Sequence, residues 1–182
     1  MSFSQLLATL RERFGYLWLV LAFGAIYLIS QVTIGVLLEH VDPAAIGKLQ
    51  VSGFTASSYI ETFTRWEASG VMAFYRAHFV VDGIHWLWYT LLLLSLLSLA
   101  MKKAQAPAHY NALLVLPMIA GPCDALENSI QKIFLSEPGY VTIVDPLPMI
   151  STLASITKWS LVAMASLALV ALVAKALKNR GA

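Results

Sequence analysis

Asp82, His85, Asp124, Glu127 and Lys158 are ionisable residues inside stretches that are otherwise long and apolar. A charge in the interior of a bilayer is costly, so such groups usually face a bundle interior and mark a working site. Their spacing is helical. Asp124, Glu127, Asn128 and Gln131 follow i, i+3, i+4, i+7, while His78, Asp82, His85 and Tyr89 follow i, i+4, i+7, i+11. Each set therefore lies on one helical stripe. Ser151, Ser155 and Lys158 share an arc, as do Tyr27, Ser30, Gln31 and Ile34. Folding the stripes inward assembles carboxylates, an ammonium, imidazoles, amides and hydroxyls in one place.

Several chemistries use such a set. In an acid/base site, Lys158 holds one carboxylate ionised while burial keeps a proton on another. Isomerisation or hydrolysis of a lipid-like or isoprenoid substrate would need that division. The working pair would be Asp124 and Glu127 with Lys158 as electrostatic partner. Asp82, His85, Asn128, Tyr89, Trp86 and Gln31 would line the ligand pocket. Metal binding is the weaker reading. A helical di-metal site carries two Glu-x-x-His units, whereas here Asp82 and His85 supply one partial unit, so no metal and no other cofactor is expected. A proton- or ion-coupling site is a further reading. The competing reading without chemistry is a Lys–carboxylate network that fixes helix packing in a structural or assembly protein. Trp86, Trp88, Tyr89 and Trp159 fit either a ligand-facing aromatic wall or an ordinary interfacial belt.

The elements that must carry these residues are readable from hydropathy. A spanning helix needs about 20 mostly apolar residues. Four stretches qualify, at about 14–38, 79–101, 110–136 and 147–174. The third is broken by Pro117, Gly121 and Pro122, and the prolines are expected to kink it. At a rise of about 1.5 Å per residue, Gln31, Asp82, His85, Asp124, Glu127 and Lys158 all lie roughly 22–30 Å from the basic flanks of their helices. The polar layer thus sits in the outer third of the membrane.

Residues 40–78 form the largest connection. Ser58 and Glu61 fit a capping box, and Tyr59, Ile60, Phe63, Trp66 and Met72 recur at near-helical spacing. An amphipathic helix on the outer surface is expected there, as a lid, an interfacial helix or a connector. Arg11, Arg13, Lys102, Lys103, Lys175, Lys178 and Arg180 fall on one side of the spans. The positive-inside bias makes that side cytoplasmic, with both termini there in a cell (inner) membrane.

Composition agrees. Of 182 residues, 59% are hydrophobic and 12% charged, and the mean hydropathy is +0.73. A soluble domain carries about twice that charge. The net charge of +2, with no basic tract, excludes nucleic acid as a partner. The single cysteine, Cys123, excludes an intrachain disulfide and a Cys-based zinc site. The apolar run after Arg13 is too long for a signal-peptide core and lacks a cleavage pattern, so it is expected to be a retained helix.

Two segments together carry a resemblance. One runs from Leu49-Gln50 through Trp66 and Gly70 to Asp82. The other runs from Leu116-Pro117 through Asp124 to Leu126-Glu127-Asn128. This resembles an uncharacterised family of small bacterial four-helix integral membrane proteins, most sharply in the Asp-x-x-Glu-Asn element. The resemblance implies the architecture and no activity. In size and in intramembrane carboxylates the chain is also similar to EXPERA-domain proteins, an architectural analogy that transfers no residues.

The expected fold is all-α: one integral membrane domain, a four-helix transmembrane bundle with an outer-side amphipathic connection. The expected partners are membrane lipids and a hydrophobic or amphipathic small molecule, bound in a pocket that opens toward the outer leaflet. Four helices are few for a lone transporter, so the transporter reading requires a homo-oligomer.

Overall fold

The structure is a computed structural model and describes residues 1–179. Seven α-helices follow in order: α1 Phe3–Phe14, α2 Leu17–Leu38, α3 Pro43–Ser52, α4 Ala56–Ala68, α5 Met72–Lys103, α6 Val115–Phe134 and α7 Leu147–Lys178. Short 3₁₀ turns at Ala108–Leu114 and Pro138–Tyr140 precede α6 and α7. No strand occurs among the described residues. Three helices, α2, α5 and α7, are long and apolar enough to cross a membrane. On α2 the apolar side chains Leu21, Ile29 and Val32 are largely exposed, as a lipid-facing helix requires.

Several boundaries differ from the sequence reading. The apolar run at 14–38 is broken at Gly15–Tyr16, so α1 is a separate helix. Ser2 caps it: its hydroxyl accepts from Gln5 N at 3.3 Å, and Gln5 Oε1 accepts from Ser2 N at 2.7 Å. A Cβ at Gly15 would lie 2.6 Å from the Lys102 side chain and 2.9 Å from the Arg11 carbonyl, which is why the break carries glycine. Within 40–78 the chain forms two helices rather than one. Asp42 caps α3 by accepting from Ala44 N at 2.9 Å, with Pro43 in the first turn.

The cap of α4 is Thr55, which accepts from Ser58 N. Ser58 is thus already inside the helix, and the Ser58–Glu61 capping box does not form. Gly70, at φ +76°, ends the α4 segment: Val71 N donates to Trp66 O and Gly70 N to Glu67 O. Helix α5 starts at Met72, seven residues before the expected 79. Residues 110–114 are 3₁₀, so α6 starts at Val115. Pro117 falls in its first turn, where a missing N–H is harmless. Pro122 lies inside α6, whose helical assignment runs through it unbroken.

The chain divides into two compact units by its contacts. One comprises Met1–Tyr27, Leu87–Gly121 and the chain from Trp159. Its core joins Leu7 to Leu94, Leu97, Met101, Leu114, Ala165 and Leu172. Arg11 ties it together, donating from Nη1 to Ala106 O at 2.9 Å and Asn111 Oδ1 at 3.2 Å, and from Nη2 to Met101 O at 3.0 Å. These carbonyls belong to the end of α5 and the turn beyond it, where helical partners run out. Arg11→Met is expected to destabilise the protein by about 2 kcal/mol, because it removes charge-assisted bonds to partly buried carbonyls. Thermal unfolding of the detergent-solubilised chain measures this, and an unchanged melting temperature would contradict it.

The other unit comprises Leu28–Trp86 and Pro122–Lys158. Its core is aromatic: Tyr59, Phe63 and Trp66 of α4, Tyr75 and Phe79 of α5, Phe134 of α6, and Tyr140. All of the ionisable candidates except Tyr89 belong to this unit.

Candidate functional site

Helix α6 is amphipathic and buries its polar stripe. Asp124, Glu127, Asn128 and Gln131 are each 5% exposed or less. Helix α7 answers with buried Ser151, Thr152, Ser155 and Lys158. At the centre, Lys158 Nζ donates to Asp124 Oδ1 at 2.8 Å and to Glu127 Oε2 at 2.7 Å. These are short, charge-assisted bonds. The second Glu127 oxygen, Oε1, accepts from Gln131 Nε2 at 3.1 Å and Gln50 Nε2 at 3.2 Å. Gln131 Oε1 in turn accepts the Tyr75 hydroxyl. Ser155 Oγ is fully buried beside Glu127 and makes no hydrogen bond of normal geometry.

Helix α5 supplies the neighbouring groups. Asn128 Nδ2 donates to the Asp82 backbone carbonyl at 3.1 Å. The Asp82 carboxylate instead lies 3.9 Å from His78 Nε2. His78 Nδ1 faces the Tyr75 carbonyl, so that nitrogen carries the proton. His85 Nδ1 pairs with Ser30 Oγ at 2.7 Å. Burial raises the pKa of the Tyr59 hydroxyl, which therefore stays protonated and donates to Ser151 Oγ at 3.3 Å.

The structure thus joins Asp124, Glu127 and Lys158 directly and sets Asp82, His85 and Asn128 on the same unit. Gln31 lies on the exposed face of α2, and its neighbour Ser30 is the buried one. Tyr89 belongs to the first unit, where its hydroxyl donates to Ala120 O at 3.0 Å. Trp86 donates to the Gly83 carbonyl of its own helix at 3.1 Å. Among the described residues no cluster of His, Cys, Asp and Glu is arranged to hold a metal ion.

Sequence reasoning missed Gln50 and Tyr75. Gln50 sits on α3, a helix that hydropathy did not reveal. Tyr75 precedes the His78–Asp82–His85 stripe by three residues, so extending that stripe toward its N-terminus would have found it.

Charge balance limits what this arrangement can do. One ammonium faces Asp124 and Glu127, and Asp82 feels the charges of both. Burying all three carboxylates ionised against the one bridging ammonium would be costly. A retained proton or a cationic group on a ligand relieves that excess. The chain is an all-helical protein with membrane-spanning character and a buried carboxylate–ammonium cluster. No family model, curated protein or solved structure matches it.

Proposed function

We propose that this is a four-helix integral membrane protein that binds an amphipathic, lipid-like small molecule at its buried polar layer. There it exchanges a proton with that molecule through Asp124 or Glu127. The observation that carries the reading is Lys158 bridging two buried carboxylates. It holds one carboxylate as an anion while the surplus negative charge favours a proton on another, which is the division of labour acid/base chemistry needs.

Helix α6 serves as the fourth span. Its 20 residues give about 30 Å of rise, enough for the hydrocarbon core. Its charged groups lower its hydropathy, but Asp124 and Glu127 face inward. Arg11 lies against Met101 and Ala106, and Asn179 donates to Ala104 O at 3.2 Å. The basic flanks therefore share one end, which supports both termini being cytoplasmic.

A second reading has its own support. Glu127 already accepts from Lys158, Gln50 and Gln131, as a packing network would have it. Native mass spectrometry with lipidomics on wild type and Glu127→Gln separates the two. Ligand binding predicts one co-purifying lipid or isoprenoid class whose retention falls about tenfold in the variant. Retention of nothing specific, with only a lowered melting temperature, would leave the network reading in its place.

A further inference from the structure

A second polar site lies away from Lys158, in a cleft of about 480 Å³ between the start of α5 and the end of α6. Thr64, Glu67, Arg76, Glu137 and Tyr140 line it, with Leu135 and Pro138 as apolar walls. Its charges are only partly spent. Arg76 lies 3.6 Å from Glu67 through Nη2, with both side chains about half exposed, and its guanidinium also interacts with the Tyr140 hydroxyl. Neither contact uses all of the five guanidinium donors, so some remain for an anion. Glu67 is occupied by the Tyr140 hydroxyl, which donates to Oε2 at 2.8 Å. The pKa of that phenol is pushed up to about 12, by burial first and by this bond second, so it stays a donor. Glu137 makes no ion pair or hydrogen bond through its side chain among the described residues. The cleft therefore offers an under-used cation and a separate, unpaired anion.

Its position selects the ligand. Helix α5 has 32 residues, about 48 Å of rise against a hydrocarbon core of about 30 Å. Its first turns must therefore stand in the headgroup zone, and Arg76 is in them. Arg76, Val80 and Ile84 follow i, i+4, i+8 and share one stripe. Val80 is 80% exposed and Ile84 54%. An apolar track thus runs from the cleft down the span.

From this juxtaposition we propose that the cleft binds the headgroup of a zwitterionic phospholipid carrying a primary ammonium. The phosphate sits on Arg76, the ammonium on Glu137, and an acyl chain along Val80 and Ile84. Guanidinium and phosphate match in geometry as well as charge. A primary ammonium donates hydrogen bonds to Glu137 that a trimethylated one cannot, and an anionic glycerol headgroup offers no cation at all. The site needs the membrane placement but not the chemistry at Glu127.

The test is native mass spectrometry of the full chain in detergent with equimolar phosphatidylethanolamine, phosphatidylcholine and phosphatidylglycerol. Soluble phosphoethanolamine is added in a separate competition. Phosphatidylethanolamine should be retained preferentially. Arg76→Gln should lower its retention about tenfold, with Arg76→Lys recovering part of the loss. Glu137→Gln should remove the preference over phosphatidylglycerol. Glu127→Gln should leave that preference unchanged, which keeps this site distinguishable from the one at Lys158. Equal retention of the three lipids, or unchanged retention in Arg76→Gln, would overturn the proposal. So would soluble phosphoethanolamine competing as well as the lipid, since the apolar track would then contribute nothing. If Arg76→Gln does not fold, Glu137→Gln, at an exposed position, decides the matter alone.

Discussion

Lys158→Met is expected to destabilise the folded protein by about 3–5 kcal/mol, because it leaves Asp124 and Glu127 buried without their shared ammonium. The side chain is nearly isosteric, so little of the loss comes from a cavity. Both carboxylates are at most 4% exposed, and among the described residues Lys158 is the only cation bonded to either. Gln50 and Gln131 still donate to Glu127 after the change, but neutral amides do not offset a second negative charge. The triple variant Lys158→Met, Asp124→Asn, Glu127→Gln removes both sides of the imbalance and should regain most of the stability. Chemical unfolding in detergent of wild type, single and triple variants reads this directly. A single variant as stable as wild type would mean that the cluster does not hold the charges assigned to it. A triple variant no better than the single would place the loss in packing rather than in charge.

Helical spacing made the centre of this site legible in the sequence. Asp124, Glu127, Asn128 and Gln131 on one stripe of α6 are all buried, and the one lysine of the last apolar run is their partner. A period of 3.6 residues is insensitive to where a helix begins, so stripes survive errors in boundaries. Choices between adjacent residues do not survive so well. Ser30 and Gln31 differ by about 100° of rotation, and only packing decides which faces inward; the bulkier amide lost to the hydroxyl that fits against His85. Tyr89 lies on the right stripe but about two turns beyond Asp82, far enough along α5 to belong to the other unit. The short helices escaped for a different reason. Helices α1 and α3 are announced by caps, Ser2 with Gln5 and Asp42 with Pro43, not by hydropathy. Ser58 misled because Thr55, three residues earlier, supplies the same oxygen. The cleft at Arg76 depends on where α5 starts relative to the end of α6, which no periodicity encodes.

Phe63→Ala carries the second large effect, and it tests how helices α3 and α4 serve the buried carboxylates. Phe63 is wholly buried and meets four aromatic rings, with centroids 5.4 Å away at Tyr140, 5.6 Å at Tyr75, 5.7 Å at Tyr59 and 5.8 Å at Trp66. Truncation removes the ring at the hub and leaves a cavity that rigid neighbours fill poorly, for an expected loss of about 3–5 kcal/mol. Ile60→Ala, one turn earlier on the exposed face, should cost well under 1 kcal/mol. The damage should also be local. Tyr75 packs on Phe63 and donates to Gln131, which donates to Glu127. Hydrogen exchange should therefore rise in α3, α4 and the first turns of α5, while the amides around Met101 and Leu114 in the other unit stay protected. Uniform loss of protection along the chain would show that the two units unfold as one. If Phe63→Ala melts early yet keeps full protection at Gln131, Tyr75 does not transmit the packing to Glu127. The aromatic core would then stabilise α3 and α4 without positioning the carboxylate.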